Sequence, residues 1–276
     1  MRFRLGQRAA AAGYRLATYD VIGSTSAEAK ARVAAGERGP LWIVARRQEA
    51  AYGRRGRAWT SPEGNLAASL VLTVDAPPAL ASTLGFAAAL AAGEAVRSVA
   101  PRLVAKVGLD DAVSPAGGSG LRLKWPNDVL VDGAKLAGIL LESVETAEGS
   151  LAIVIGIGVN VAAAPEDVPY PATSLYALGA AVSADALFEA LSDAWVGAVE
   201  LWDEGRGLPA LRTEWLARAA GIGAPVSVRL GERILRGTFE TIDESGCLVV
   251  RRADGTTATV AAGEVHFGLA ATATAG

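Results

Sequence analysis

Lys124, Asp128, Lys135 and Asn160, with Arg54, Arg55 and Arg57 upstream, are the residues of this chain whose types and spacing suit chemistry on an anion. The arginines stand in Gln48-Glu-Ala-Ala-Tyr-Gly-Arg-Arg-Gly-Arg-Ala-Trp59, around two glycines, with Arg46 and Arg47 just ahead. Five arginines within twelve residues, in a protein of net charge -3, make a local positive field. Arginine presents a planar fork of donors matched to carboxylate and phosphate. Glycine lets main-chain N–H groups approach a ligand. One reading is a loop that closes over a small polyanion. A solvated basic turn or a nucleic-acid patch fits the run alone equally well, so the rest of the chain decides.

The densest company is Leu121 to Glu142. Alternation makes Leu121–Trp125 a strand with Arg122 and Lys124 on one face. Pro126 removes a ladder donor, and Asn127-Asp128 turn the chain. Asp132-Gly133 is a hairpin signal joining Val129–Val131 to a strand from Lys135 to Glu142. A third strand, Leu151–Val161, contains Gly156-Ile-Gly158-Val-Asn160. Three adjacent strands thus carry Lys124, Lys135 and Asn160 among apolar neighbours. A lysine in such a strand is costly unless it meets an anion. Either lysine alone also reads as a side chain reaching solvent from a strand end; the pair beside an arginine loop favours the anion.

Scarcity narrows the chemistry further. His266 is the only histidine and Cys247 the only cysteine, which leaves almost nothing for a histidine triad or a zinc site. Gly156-x-Gly158 is not a dinucleotide fingerprint, because no third glycine follows and no helix opens there. No Gly-x4-Gly-Lys-Ser/Thr phosphate loop occurs. The glycines instead leave room for a flat ligand against the sheet. Positioning and electrostatics are the expected means of action.

The elements that must position these groups follow in order. Residues 14–22 read as a strand ending at Ile22-Gly23, and Ser24 or Thr25 caps a helix from Ser26 to about Ala35 with Glu28 in its first turn. Capping accounts for both hydroxyls; a polar ligand socket at a helix N-terminus uses them as well. Leu41–Arg47 is a strand that runs into the arginine loop, and Asn65–Asp75 pairs with it. Ala81–Val99 is a core helix, Gly108–Gly120 a surface loop or insertion, and Pro165–Thr173 a proline-rich loop. Ser183–Glu204 and Leu208–Ala219 are amphipathic helices with Trp195, Trp202 and Trp215 in the core. From Pro225 the texture changes to short alternating strands, Val226–Leu230, Ile234–Ile242, Cys247–Arg252 and Thr257–Val260. That texture predicts a small β-barrel, linked near Gly221-Ile-Gly223.

Length and composition agree with an ordinary globular protein: 276 residues, 51% hydrophobic and 20% charged. A pI near 5.4 argues against broad nucleic-acid binding. The apolar run in Met1–Ala12 is too short for a signal peptide, and no window reaches about 18 uninterrupted apolar residues. A single cysteine rules out an internal disulfide, so the expected location is the cytoplasm.

In order and spacing, Gly53-Arg-Arg-Gly-Arg-Ala-Trp59, Lys124-Trp-Pro-Asn-Asp128, Lys135-Leu-Ala-Gly-Ile-Leu-Leu-Glu142 and Gly156-Ile-Gly158-Val-Asn160 resemble biotin protein ligases, as do Ser24-Thr25 and Gly263-Glu264. The resemblance covers essentially the whole chain. It implies an α+β fold: a mixed-sheet catalytic domain, placed at 1–222, and a C-terminal SH3-like barrel at 223–276. It implies that biotin and ATP form biotinyl-5′-AMP, and that biotin then passes to one lysine of a carboxylase's biotin carboxyl carrier domain. By position, Ser24, Thr25 and Gln48 resemble the contacts to the ureido ring, and Gly156 and Gly158 the strand that biotin approaches. Lys135 resembles the lysine bridging the biotin carboxylate and the α-phosphate. Arg54, Arg55, Arg57 and Trp59 resemble the phosphate-binding loop, with Arg54 also counted toward biotin and catalysis. Lys124, Asn127, Asp128 and Asn160 match the nucleotide side; Asp128 is the candidate Mg²⁺ ligand and the candidate base in transfer. Members of the family often form homodimers, on which these residues are silent.

The chemistry agrees on its own terms. An acyl-adenylate forms when a carboxylate meets a triphosphate, two anions that repel, so preorganised positive charge and alignment give the largest help. One departure stands out: Ala51-Tyr52 replaces the usual Gly-Arg of the loop. The chain begins at the catalytic domain, so neither operator binding nor repression is expected. A lipoate or octanoate ligase shares the fold and a motif lysine, but Lys124-Trp-Pro-Asn-Asp128 and the arginine loop favour biotin. A non-catalytic nucleic-acid module is the rival from another class, opposed by the acidic pI and the lack of interleaved aromatics in the loop.

Overall fold

The computed structural model describes residues 2–105, 120–146 and 150–267. All but the last residue of the expected loop Gly108–Gly120 lies outside the described residues. The chain opens with α1 (Gln7–Ala11), β1 (Arg15–Ile22), α2 (Thr25–Ala34), β2 (Leu41–Gln48) and β3 (Leu66–Val74). Next come α3 (Pro78–Ala81), α4 (Leu84–Val99), α5 (Pro101–Ala105), β4 (Leu121–Lys124), β5 (Asp128–Val131), β6 (Ala134–Glu145) and β7 (Leu151–Val159). Helices α6 (Ala184–Trp202) and α7 (Leu208–Leu216) precede β8 (Pro225–Leu230), β9 (Arg233–Ile242), β10 (Leu248–Arg251), β11 (Thr257–Val260) and β12 (Glu264–Phe267).

The first seven strands form one mixed sheet in the order β1-β2-β3-β7-β6-β5-β4. β1 and β2 run parallel, with α2 as their crossover, and the other neighbours are antiparallel. The β5–β6 turn has Asp132 at φ 49° and Gly133 at φ 79°, the pair of positive values a two-residue type I′ turn demands. The fold is therefore α+β, and the expected hairpin is present. Lys124 and Lys135 lie on strands separated by β5, and β7 stops one residue before Asn160. The expected three-strand set is thus four strands, because Asp128–Val131 pairs on both sides.

Both faces of the sheet are covered, and strand periodicity sorts the side chains between them. Trp42 and Val44 of β2, with Ile153, Ile155 and Ile157 of β7, join the main core beneath α4 and α6. Leu41 and Ile43, with Ala152 and Val154, form a smaller cluster with Ala29 and Val33 of α2. Continuing the alternation, Gly156 and Gly158 fall on the α2 side. Trp195, Trp202 and Trp215 are buried in the main core.

The helix expected over Ala81–Val99 is broken into α3 and α4, and Pro78–Val99 as a whole is long and apolar enough by length and composition to cross a membrane, a property the sequence reading did not credit. In the fold it is mostly buried, with α4 against α6. The helices expected to end at Glu204 and Ala219 stop at Trp202 and Leu216; Asp203 takes a left-handed φ of 47° after the first. The C-terminal strands form a five-stranded antiparallel sheet in the order β11-β10-β9-β8-β12. The expected small C-terminal β domain is thus present, with β8 pairing both β9 and β12. β12 was not anticipated: it starts at Glu264, directly after Gly263, and holds the only histidine.

Candidate functional site

Where α2 ends its cover of the sheet, a cavity of about 430 Å³ opens. Every residue given a binding or catalytic role in the sequence reading lines it, except Asn160.

One end is built of hydroxyls and an amide. Ser24 caps α2 by accepting from the Ala27 N–H at 3.3 Å. In the β1–β2 register Ile22 stands opposite Gln48, which brings Gln48 to the start of α2. Thr25 donates from its N–H (2.8 Å) and its Oγ1 (3.1 Å) to Gln48 Oε1. Gln48 Nε2 donates to Ser61 Oγ at 3.1 Å. Behind them, Ser69 Oγ donates to Thr25 Oγ1 at 2.8 Å and lies 3.0 Å from Ser26 Oγ. A buried polar network with its partners in place is rigid, so this end offers donors and acceptors at fixed positions.

The glycines make the floor, in a way the sequence did not show. In register, Gly138 of β6 faces Gly158 of β7, and Leu140 faces Gly156. A Cβ on Gly158 would lie 2.6 Å from the Trp59 indole, and one on Gly138 would lie 3.1 Å from it. A Cβ on Gly156 would lie 2.6 Å from Ser26 Oγ. The flat group on the glycine floor is thus the Trp59 ring, and Gly156 makes room for the hydroxyl network.

Above the floor stands the arginine loop. Tyr52 and Ala58 form an antiparallel bridge, and Gly53 N–H donates to Arg57 O at 2.8 Å. The chain reverses through Arg55 at φ 58° and Gly56 at φ 69°; the positive φ suits glycine and strains arginine mildly. Arg54 Nη1 donates to Gly263 O at 3.2 Å. Arg57 pairs with Glu264, and Arg55 Nη1 lies 3.8 Å from the same carboxylate. Burial pushes the Glu264 carboxyl up, but Arg57 and Arg55 outweigh it and hold the group below its ordinary value. Burial draws the Arg54 guanidinium down from its ordinary value, against the pull of Asp128 and Glu264.

The opposite wall carries the lysines. Lys135 Nζ lies 2.7 Å from Asp128 Oδ1 and about 5 Å from two ring centres, Trp59 (5.4 Å) and Tyr170 (5.3 Å). Its backbone is pinned by the proline-rich loop: its N–H donates to Pro171 O (2.8 Å), and its carbonyl accepts from Thr173 N–H (3.0 Å). Lys124 lies over Phe267 at 5.6 Å. Burial lowers its pKa from the ordinary lysine value; Lys135 and Arg54 add to that, and Asp128 opposes it. Asn127 Nδ2 donates to Ile139 O, which leaves its buried Oδ1 without a partner at the cavity wall. Asn160 stands behind the wall, its Nδ2 donating to Thr173 O at 3.1 Å and Lys135 O at 3.4 Å.

Sequence reasoning missed Tyr170, His266 and Phe267, which all reach the cavity. Pro169-Tyr-Pro171, an aromatic fixed between prolines, was the available signal for the first. For the other two the signal was the strand that Gly263-Glu264 begins. Chemically, the cavity joins a rigid polar end, an apolar floor and a cationic end. That suits a neutral polar ring carrying an acid arm toward phosphate.

Comparison with known proteins agrees with this geometry. The model of the biotin/lipoate A/B protein ligase family matches residues 20–160, and that of the biotin protein ligase C-terminal domain matches residues 221–268. The chain is 40% identical to a biotin–[acetyl-CoA-carboxylase] ligase of Paracoccus denitrificans, over 89% of this chain and 97% of that protein. It is 36% identical to the enzyme of that name from Mycobacterium tuberculosis, over 88% and 85%. Among solved structures, the biotin protein ligase of Aquifex aeolicus in complex with biotin and ATP superposes with a TM-score of 0.70 at 22% identity, covering 92% of this chain and 98% of that one. The Leishmania major biotin protein ligase in complex with biotinyl-5-AMP gives 0.60 at 25% identity, over 90% and 99%. On a family match that spans more than half of its length and a relative at 40% identity, the chain belongs to the biotin/lipoate A/B protein ligase family.

Proposed function

We propose that the chain is an ATP-dependent biotin protein ligase that forms biotinyl-5′-AMP and transfers biotin to a lysine of a carboxylase's biotin carboxyl carrier domain. The observation that carries this reading is one cavity that runs from the Thr25–Gln48 end to the Lys135, Lys124 and arginine-loop end. Ser24, Thr25 and Gln48 hold the ureido ring, and the bicycle packs against the Trp59 ring, which the missing side chain at Gly158 lets sit low against the sheet. Gly156 serves the same end by making room for the hydroxyl network. Lys135 meets the carboxylate as it attacks the α-phosphorus and pyrophosphate leaves. Arg54, Arg55, Arg57, Lys124 and Asn127 hold the phosphates and nucleotide, and Trp59 and Asn160 position that end. Preorganised cations of this kind stabilise charge that builds in the transition state. In the second step the carrier's lysine attacks the acyl carbon and AMP leaves. We assign the proton it loses to Asp128.

Among the described residues no cluster of three acidic, histidine or cysteine side chains exists to cage a metal. Mg²⁺ commonly binds through one or two carboxylates plus substrate phosphates, and Asp128 is a carboxylate among the phosphate-facing cations, so the residues present fit. Mg²⁺ bound there neutralises phosphate charge, and Asp128 is the residue that would hold it. The change from mixed sheet to antiparallel ladder supports a domain division after residue 222.

The test is ATP–pyrophosphate exchange by purified protein with Mg²⁺ and biotin, lipoate or octanoate in turn. Exchange with biotin alone is expected. Exchange with lipoate or octanoate would make this a ligase of the neighbouring substrate class, and no exchange with any acid would leave a binding protein.

A further inference from the structure

Tyr52 stands where the family loop usually has arginine, and its surroundings are specific. Its Oη donates to Glu142 Oε2 at 3.1 Å, and Lys30 Nζ lies 2.8 Å from Glu142 Oε1. Lys30 Nζ also sits 5.2 Å from the centre of the Tyr52 ring. The three residues come from three elements: Lys30 from α2, Glu142 from β6 and Tyr52 from the loop. Glu142 faces Val154 in register, the next α2-side position beyond Leu140, so it lies just past the end of the glycine floor. Tyr52 lines the cavity; Lys30 and Glu142 do not.

Taking the cavity as the acid- and ATP-binding site proposed above, we propose that Glu142 and Lys30 clasp Tyr52 over its acid end, and that this clasp sets how fast the bound acid escapes. The clasp has the charges to hold. Hydrogen bonding to Glu142, and then to Tyr52, raises the Lys30 ammonium above its ordinary pKa, so it stays charged. A hydrogen bond to a charged group is among the stronger kinds, and the tyrosine ring meets a cation on its face. The Tyr52–Ala58 bridge passes the restraint to the returning limb that bears Arg57 and Trp59. The loop is therefore tied at both ends: to α2 and β6 at the acid end, and to Gly263 and Glu264 at the phosphate end. Tyr52 is a positioning residue, and Lys30 and Glu142 act through it.

The test is the dissociation rate of labelled biotin, chased with unlabelled biotin, from the full-length chain and from Tyr52→Phe, Glu142→Gln and Lys30→Met. Tyr52→Phe and Glu142→Gln should each speed release about tenfold, the scale of one lost charge-assisted hydrogen bond. The double variant should release no faster than either single one. Exchange at saturating biotin should stay within about twofold of wild type in Glu142→Gln and Lys30→Met, which a general loss of folding would not allow. Unchanged release from both Glu142→Gln and Lys30→Met, in a chain whose wild type exchanges with biotin, overturns the clasp alone. A wild type that neither binds biotin nor exchanges overturns the functional reading, and the clasp with it.

Discussion

Lys135 Nζ lies 2.7 Å from Asp128 Oδ1, with both side chains more than four-fifths shielded from solvent. The pair joins β6 to the start of β5. An ammonium held this way is already aimed and largely dehydrated before any substrate arrives, which is what preorganisation requires. Lys135→Ala should therefore lower biotin-dependent exchange by about 10³-fold or more. Asp128→Asn should act differently, by raising the Mg²⁺ concentration needed for half-maximal exchange. Titrating Mg²⁺ at saturating ATP separates the two; an unchanged Mg²⁺ dependence in Asp128→Asn removes the metal role from Asp128.

Glu264 occupies Arg55 and Arg57 while Gly263 O holds Arg54. The C-terminal ladder thus supplies the anion that steadies the arginine loop. Glu264→Gln removes that charge and keeps the shape, so the loop should open more often. Limited trypsin digestion should cut at Arg55 and Arg57 several-fold faster than in wild type, and saturating ATP should restore protection. Equal cutting rates would mean that Glu264 does not hold the loop.

Arg54 is the one loop arginine drawn under cover, and it binds the ladder through Gly263 O. Arg54→Gly removes a charge next to the adenylate and cuts that tie together. The intermediate should escape and acylate lysines of bystander proteins. Labelling of added serum albumin with ATP and biotin measures this, and equal labelling by variant and wild type would dismiss it.

Lys124 gives a pH dependence whose sign follows from its environment. Burial, with Lys135 and Arg54, lowers its pKa, so the free protein loses this charge at lower pH than an ordinary lysine does. ATP favours the charged form, and above the free-state pKa binding must take up a proton; the KM for ATP should rise with pH there. Lys124→Arg keeps its charge and should move that rise to higher pH. The linkage to folding runs the opposite way. With the folded pKa below the unfolded one, the unfolded state binds more protons between them, so stability grows as pH rises through that window. At neutral pH the buried charge is a cost. Lys124→Met should raise the Tm by roughly 2–4 °C and weaken ATP binding.

Much of this was legible because the relevant signals are local. Asp132-Gly133 announces its own turn and Ser24 its cap, and alternation marks β4 as a strand. That the arginine loop and the two lysines would gather was also legible, since charge among apolar residues is costly without a partner, and the structure brings them to one cavity. What stayed hidden depends on contacts distant in sequence. Nothing around Tyr52 predicts that it meets a carboxylate 90 positions away, or that Arg54 reaches a carbonyl 209 positions away. Asn160 was matched to the nucleotide side by position in the motif; the structure sets it behind the wall, its Nδ2 on the carbonyls of Lys135 and Thr173, an arrangement no local signal announces. His266 could not be placed while β12 went unrecognised.

The glycine floor gives the last prediction. Gly158 has no alternative residue as long as Trp59 rests on it, because an added Cβ meets the indole at 2.6 Å, closer than such contacts are found. The backbone at Gly158 is extended strand paired on both sides, so Ala fits the sheet itself. The strain falls on the ring. Gly158→Ala should thus fold with a Tm within a few degrees of wild type, yet push Trp59 off the floor and shift its packing against Lys135, 5.4 Å away. Biotin affinity, measured by calorimetry, should fall by about tenfold or more. Trp59→Ala in the same chain should recover part of the loss by clearing the clash. If the single variant binds biotin as wild type does, the ring leaves the floor at no cost, and the close approach at Gly158 has no bearing on the ligand.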